Sequence, residues 1–111
     1  MDKILTYRSR ICTLLQRYLT HKPAYGDIEL QLIEDTKHDH YQVFAVGWHK
    51  DRQIHGCMLH FDIKNGKIWI QHNNTEDDVA AELVVLGVPK EDIVLGFQAP
   101  VRRRYSEYAI N

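Results

Sequence analysis

The sequence predicts an α+β fold: an N-terminal helix, a four-stranded antiparallel sheet with meander connections, and C-terminal helices followed by a tail. Three observations support this prediction. An apolar stripe at helical spacing covers residues 2–20, strand-like segments separated by tight-turn signals run from His40 to Gln71, and a second helical pattern follows an acidic turn. With 111 residues, 44% hydrophobic and 26% charged, the chain is predicted to form a single domain over residues 1–111.

The first helix is indicated by apolar residues that recur every three or four positions, which places them on one wide side. These residues are Ile4, Leu5, Tyr7, Ile11, Cys12, Leu14, Leu15, Tyr18 and Leu19. Lys22-Pro23 is predicted to end the helix, because the residue before a proline disfavours helical geometry. Ile28, Leu30 and Leu32 then alternate with polar residues, which is typical of a half-exposed strand.

Two turns are predicted to define the rest of the sheet. A polar turn over 35–39 leads to a second strand at about 41–48, and Lys50-Asp51-Arg52 turns the chain into a third strand at 54–63. Asn65-Gly66 is a strong hairpin signal, because a two-residue type I′ turn requires positive φ at both positions.

The turns also predict which side chains share a face of the sheet. A two-residue Asn65-Gly66 loop places Ile63 opposite Ile68 and Phe61 opposite Ile70, and it places Leu59 opposite His72, Asp62 opposite Trp69 and His60 opposite Gln71. A two-residue turn at Lys50-Asp51 adds Phe44, Val46 and Trp48 to the Leu59/Phe61 face, which we expect to be the core. Tyr41, Val43, Ala45 and Gly47 then share a semi-apolar face with Met58, His60 and Trp69. A shift of one residue reverses every assignment.

A second helix is predicted after the sheet. Asn74 or Thr75 can cap it, the acidic run 76–78 suits its positive end, and Gly87 and Pro89 end it. Its apolar side consists of Val79, Ala80, Leu83, Val84 and Leu86. A further helical turn at 89–92, a short apolar segment at 93–97 and a charged tail complete the chain.

Composition restricts the possible functions. A net charge of −1 gives no general attraction to nucleic acid or to anionic membranes. Cys12 and Cys57 are too few for a disulfide framework and are expected to be buried free thiols, with Cys57 on the core face. The N-terminus lacks the unbroken apolar core of a signal peptide, and no apolar run has transmembrane length, so we expect a cytoplasmic protein.

The motifs for chemistry are weak. Seven histidines suggest a metal, yet the predicted register brings no three ligands together, so we expect no metal and no cofactor. His60 and Asp62 can form a base with an orienting carboxylate, but no nucleophile joins them, and polar contacts within an interface are the preferred interpretation. The basic patch of Arg102, Arg103, Arg104 and Tyr105 can contact nucleic acid, pair with the acidic helix or fix the tail.

Several longer motifs carry a resemblance to a known family. The chain has GW-x-x-x-R-x-IHGC-x-x-H-x-DI-x-NGKIWIQ from Gly47 to Gln71, TED-x-x-A-x-EL from Thr75 to Leu83, GVPK-x-DIVL-x-F from Gly87 to Phe97 and R-x-Y-x-E-Y-A from Arg103 to Ala109. These motifs resemble the XisI family, the cyanobacterial fdxN element excision controlling factors. The resemblance extends from the first helix to the end of the chain.

The resemblance implies a small, non-enzymatic accessory protein in the programmed excision of a DNA element, with the recombination chemistry performed by a separate recombinase. It also implies an XisH-like partner, which resembles restriction-type nucleases, and it supplies no catalytic residues. We therefore expect a homo-oligomer, such as a dimer, or a complex with an XisH-like protein, formed through Tyr41, Val43, Met58, His60 and Trp69, with DNA engaged indirectly. Direct DNA binding by the basic tail and a histidine-dependent subunit of a nuclease-like complex are the alternatives for the function. The alternative to a partner on the semi-apolar face is that the first helix covers one face of the sheet and the second helix covers the other.

Overall fold

The computed structural model describes residues 2–20 and 27–111 and has the predicted α+β architecture. Helix α1 spans Lys3–Leu19, and β1 (Asp27–Asp35), β2 (His40–His49), β3 (Arg52–Lys64) and β4 (Lys67–Asn73) form an antiparallel meander. Helix α2 (Val79–Val85), a 3₁₀ turn (Lys90–Asp92), strand β5 (Ile93–Leu95) and helix α3 (Pro100–Arg103) follow. The predicted stop at Lys22-Pro23 lies outside the described residues.

The sheet has one strand more than predicted, and it is mixed rather than purely antiparallel. In the described part of the chain the strand order is β1-β2-β3-β4-β5, and β5 pairs parallel to β4, with Ile68 opposite Ile93 and Ile70 opposite Leu95. The apolar segment after the second helix is this extra strand. It is parallel because α2 returns the chain to the starting end of β4 before β5 begins, as a crossover helix does.

The second helix has a different N-cap from the one predicted. The Asp78 carboxylate accepts a hydrogen bond from the Ala81 N–H at 3.1 Å, so Asp78, and neither Asn74 nor Thr75, caps α2. The predicted stop is confirmed, because Gly87 has a φ of 104° and the N–H groups of Gly87 and Val88 donate to the carbonyls of Val84 and Leu83. This pair of bonds is the Schellman arrangement, which a glycine at positive φ allows.

Both longer helices pack on the same face of the sheet. One hydrophobic cluster joins them to alternate residues of the strands. It contains Tyr7, Ile11, Leu14 and Leu15 of α1, Val79, Ala80 and Leu83 of α2, and Tyr41, Val43, Leu59, Phe61, Ile63, Ile68, Ile70 and Ile93 of the sheet. The structure is therefore a two-layer fold in which the core lies between the helices and one sheet face. No described helix is both long and apolar enough to cross a lipid bilayer.

The predicted face assignment of β2 was wrong because β3 contains a β-bulge. The Asn65-Gly66 turn and the Lys50-Asp51 turn are both confirmed, and Ile63 and Phe61 pair as predicted. Between Phe44↔Cys57 and Val43↔Leu59, however, β3 has one extra residue, Met58. Such an extra residue reverses the faces beyond it. Tyr41 and Val43 consequently belong to the core, while Phe44, Val46 and Trp48 lie on the opposite face together with Cys57.

A second bulge separates β3 from β4. Leu59 pairs with Asn73 and His60 with His72, whereas Phe61 pairs with Ile70, so Gln71 is the extra residue on β4. The predicted pairs Leu59/His72 and His60/Gln71 were therefore wrong by one position, although Asp62 does face Trp69.

Candidate functional site

The sheet face directed away from α1 and α2 is the candidate functional surface, and it is called here the open face. Its apolar part lies on β1 and β2, where Ile33 is 46% exposed and Trp48 is 53% exposed, with half-buried Phe44 and Val46 between them. Phe44 makes an edge-on ring contact with His55 of β3 at a centroid distance of 5.7 Å. Single exposed apolar residues are ordinary on protein surfaces, but a group of large ones on one sheet is typical of an interaction site.

A polar cluster occupies the neighbouring part of the open face, on β2 and β3. The ring atoms His40 Nδ1 and His60 Nε2 lie 2.7 Å and 2.8 Å from the same carboxylate oxygen, Asp62 Oδ1. The Gln71 side-chain amide donates to the other oxygen, Asp62 Oδ2, at 3.1 Å. These four side chains are called here the His–Asp–His cluster.

The strands themselves create this cluster. His40 pairs with Asp62 across β2 and β3, and His60 precedes Asp62 by two positions, so both histidines point to the same face as the carboxylate. The extra residue at Gln71 brings its amide to Asp62 from β4. Three adjacent strands of the sheet therefore hold the four side chains.

Electrostatics within the cluster favour a charged carboxylate. Burial acts to raise the pKa of Asp62, but the hydrogen bonds from His40 and His60 outweigh burial, and the pKa is lowered. The hydrogen bond to Asp62 is also the main cause that raises the pKa of His40. Asp62 therefore remains an anion that attracts positive charge to this part of the open face.

The indole of Trp69 borders the cluster and is covered by the chain's own cations. Lys64 Nζ lies 4.5 Å and Arg103 Cζ lies 5.2 Å from the centroid of the Trp69 ring, and both contacts have cation–π geometry. The Trp69 Nε1–H is buried and has no hydrogen-bond partner among the described residues. Trp69 is thus closed off by side chains from β3 and α3 rather than left free.

The partner-binding set predicted from sequence does not form one accessible surface. Tyr41 and Val43 are both 0% exposed beneath the helices, and half-buried Met58 packs against the core cluster. His60 and Trp69 lie on the open face as predicted, but Trp69 is covered. The bulge at Met58 is the physical reason, because it exchanged the faces of β2. The accessible apolar residues are instead Ile33, Phe44, Val46 and Trp48.

The C-terminal basic patch is divided between structural and exposed residues. The guanidinium of Arg103 donates to the backbone carbonyls of Leu95, Gly96 and Gln98, at 3.3, 3.4 and 3.1 Å, so it fixes the tail. Arg102 and Arg104 are exposed, and Arg104 lies 5.4 Å from the ring of Tyr105, which is 80% exposed. Among the described residues no ion pair joins these arginines to the acidic run 76–78. Contact of Arg102, Arg104 and Tyr105 with nucleic acid stays a prediction.

Both cysteines are free thiols, but they are half-buried rather than buried. Burial raises the pKa of Cys12 to about 11, assisted by Glu34, whose carboxylate lies 3.3 Å from the thiol. Burial also raises the pKa of Cys57, which pairs with Phe44 on the open face and not on the core face as predicted. Neither thiol is therefore activated as a nucleophile.

The expectation that no three metal-ligand side chains approach one another was wrong. The ligand atoms of His40, His60 and Asp62 all lie within 4.8 Å of one another. Alternation from Phe44, which was predicted on the Leu59/Phe61 face, places His40 on that same face and away from His60 and Asp62. The bulge at Met58 instead places His40 opposite Asp62. A His-x-Asp pair opposite a histidine brings three ligands to one face only in the bulged register, which the sequence pattern does not indicate.

The fold and the open face define a small two-layer α+β protein whose sheet leaves one face available for contact. The family model described as XisI protein matches residues 1–110, and the chain belongs to the XisI family. The expectation from sequence motifs is thereby confirmed.

Two crystal structures from Anabaena variabilis ATCC 29413 are similar to this chain. A XisI-like protein is 46% identical, with a TM-score of 0.91 over 97% of this chain and 99% of that one. The fdxN element excision controlling factor XisI is 33% identical, with a TM-score of 0.84 over 99% of this chain and 100% of that one. No similar sequence is found among curated proteins.

Proposed function

We propose that the protein is a controlling factor in the excision of a DNA element, and that it acts by binding other proteins and catalyses no reaction itself. Its membership of the XisI family and its similarity to the structure of the fdxN element excision controlling factor XisI support this role. The half-buried thiols have raised pKa values, and among the described residues no nucleophile is hydrogen-bonded to His40 or His60; both observations agree with a binding role.

The observation that carries the proposal is the packing of both longer helices on one face of the sheet. That arrangement leaves Ile33, Phe44, Val46 and Trp48 at the surface of the other face, on two adjacent strands. Large aromatic and apolar side chains at the centre of a patch, bordered by charged residues, resemble the composition of protein interfaces. The proposed partners are an XisH-like protein and a second copy of the chain.

Co-purification with an XisH-like protein tests this function directly. Val46→Asp places a charge in the middle of the apolar patch and is expected to abolish both co-purification and self-association. Val85→Asp is the matched control, because Val85 is 84% exposed on α2, on the helical side of the molecule. This control is expected to behave as the wild type.

Light scattering of the wild type and circular dichroism of both variants complete the experiment. If the Val46→Asp protein is folded and still binds the XisH-like protein as tightly as the Val85→Asp protein does, the open face is not the binding surface. A wild-type monomer that also fails to retain any XisH-like protein would contradict the function as a whole.

A further inference from the structure

We propose that His40, His60 and Asp62 bind one divalent transition-metal ion, with Zn²⁺ as the best-fitting ion, on the open face of the sheet. Two ring nitrogens and one carboxylate oxygen converge there, and their ligand atoms lie within 4.8 Å of one another. The site is separate from the apolar patch around Val46, and it does not depend on the proposed function.

The size of the cluster matches such an ion. A tetrahedral zinc ion with bonds of about 2.0–2.2 Å holds its ligand atoms about 3.3 Å apart. The two ring nitrogens lie 2.7 and 2.8 Å from Asp62 Oδ1, which is hydrogen-bond distance. If each ring nitrogen moves about half an ångström away from Asp62 Oδ1, the ion fits between the three ligand atoms. Side-chain rotation is sufficient, because the His40 side chain is 54% exposed and that of His60 is 27% exposed.

The scaffold is suited to a preformed site. All three ligands are on adjacent, paired strands of the sheet, where packing fixes the backbone more tightly than in a loop. Gln71 donates to the second oxygen of Asp62 and so directs Oδ1 toward the histidines, which is the role of an outer partner in metal sites. The core face of β3, with Leu59, Phe61 and Ile63 fully or almost fully buried, anchors the strand below the site.

The donor set indicates the class of ion. Imidazole nitrogen with a single carboxylate suits zinc and similar transition metals, whereas Mg²⁺ and Ca²⁺ prefer oxygen ligands alone. The carboxylates of Asp35 and Asp39 add negative charge near His40, which attracts a cation to the site. Three protein ligands leave a fourth position, which can be filled by water or by a side chain of a bound protein.

Zinc binding to the full-length protein tests the proposal. The protein is freed of metal with a chelator and titrated with Zn²⁺ by calorimetry, and Co²⁺ is added in parallel to follow its absorption spectrum. We expect one ion per chain. Loss of an outer partner alone weakens metal binding about 10–100-fold, so His40→Ala and His60→Ala are expected to weaken it by at least about 100-fold.

His55→Ala is the matched control, because His55 is an exposed histidine on the same strand but outside the cluster. It is expected to leave the affinity for Zn²⁺ unchanged. Absence of binding by the wild type, equal loss in the His55 variant, or one-equivalent binding that survives in the His60 variant would each overturn the proposal.

Ring resonances of the wild type provide a test that does not depend on the folding of variants. One equivalent of Zn²⁺ is expected to shift the nuclear magnetic resonance signals of His40 and His60 and to leave those of His55 and His72 in place. Equal shifts of all the histidines would indicate non-specific surface binding and would refute the site.

Discussion

At the scale of single residues, Asp39 links three parts of the fold. Its backbone has a φ of 60° in the turn before β2, and its carbonyl accepts the Ile63 N–H of β3 at 3.1 Å. Its carboxylate accepts two hydrogen bonds from Arg8 of α1, at 2.7 and 3.2 Å, and one from the buried Tyr41 hydroxyl at 2.8 Å. The two-bond pairing with Arg8 is the geometry in which an exposed ion pair contributes most.

These contacts of Asp39 predict that the folded protein loses stability in acid. The hydrogen bond from Arg8 is the main cause that lowers the pKa of Asp39 in the folded protein, below the unfolded value of about 3.9. The stabilisation is therefore present above pH 4 or so and is lost as the pH falls through the folded pKa. Asp39→Asn, which tolerates the same positive φ, is expected to be less stable at neutral pH and to lose less stability on acidification.

Urea unfolding at neutral and acidic pH measures this effect. Asp51→Asn, at the exposed turn between β2 and β3, is the control and is expected to keep the acid dependence of the wild type. An Asp39→Asn protein with an undiminished acid dependence would show that other carboxylates are responsible.

At the scale of elements, strand β1 approaches β2 closely at Gly47. This residue has a φ of 152°, and a Cβ atom there would lie only 1.9 Å from the carbonyl oxygen of Asp27. Gly47→Ala combines backbone strain with overpacking, each of which costs about 1–3 kcal/mol, so a loss of about 2–6 kcal/mol in the free energy of unfolding is expected.

Thermal and urea unfolding of Gly56→Ala provide the comparison for Gly47→Ala. Gly56 lies on β3, the strand on the other side of β2, and a Cβ atom there meets nothing within 4 Å. It is expected to be tolerated. Equal stability of the two variants would mean that β1 can move away from Gly47 at little cost.

Arg103 of α3 is one of the side chains that hold the C-terminal segment in place. Arg103 donates hydrogen bonds to three backbone carbonyls, one at the last residue of β5 and two just after it, and its guanidinium lies against the Trp69 ring. Arg103→Ala is expected to cost about 1–3 kcal/mol, because carbonyls and a covered indole lose their partner. Amide hydrogen exchange over 95–111 should accelerate, whereas exposed Arg102→Ala should leave it unchanged. Equal exchange in the two variants would refute this role for Arg103.

At the scale of the whole molecule, most of the architecture follows from local patterns. The stripe of α1, the two hairpin turns and the Gly87 stop are encoded within a few residues each, and the structure confirms them. The parallel pairing of β5 could not be predicted in this way, because Ile93–Leu95 is too short to show a period and its partner lies more than twenty residues earlier.

The candidate site was harder to predict than the fold, and one residue explains the difference. Counting from the Lys50-Asp51 turn gives the correct faces only as far as Met58, where β3 carries its extra residue. An extra residue in a strand leaves no clear mark in a sequence of mixed apolar and polar residues. The bulge at Met58 brings Tyr41 into the core, and the bulge at Gln71 brings that side chain to Asp62. The composition of the open face could therefore be determined only from the structure.

The placement of both helices on one side has an evolutionary consequence. Side chains that determine folding and side chains available for recognition belong to opposite surfaces of the same strands, in alternation along the chain. Selection for a new binding partner can therefore change every second residue of β1 and β2 while the intervening residues continue to specify the native structure. Paralogues within one genome can diverge in specificity by this route without first acquiring compensating mutations.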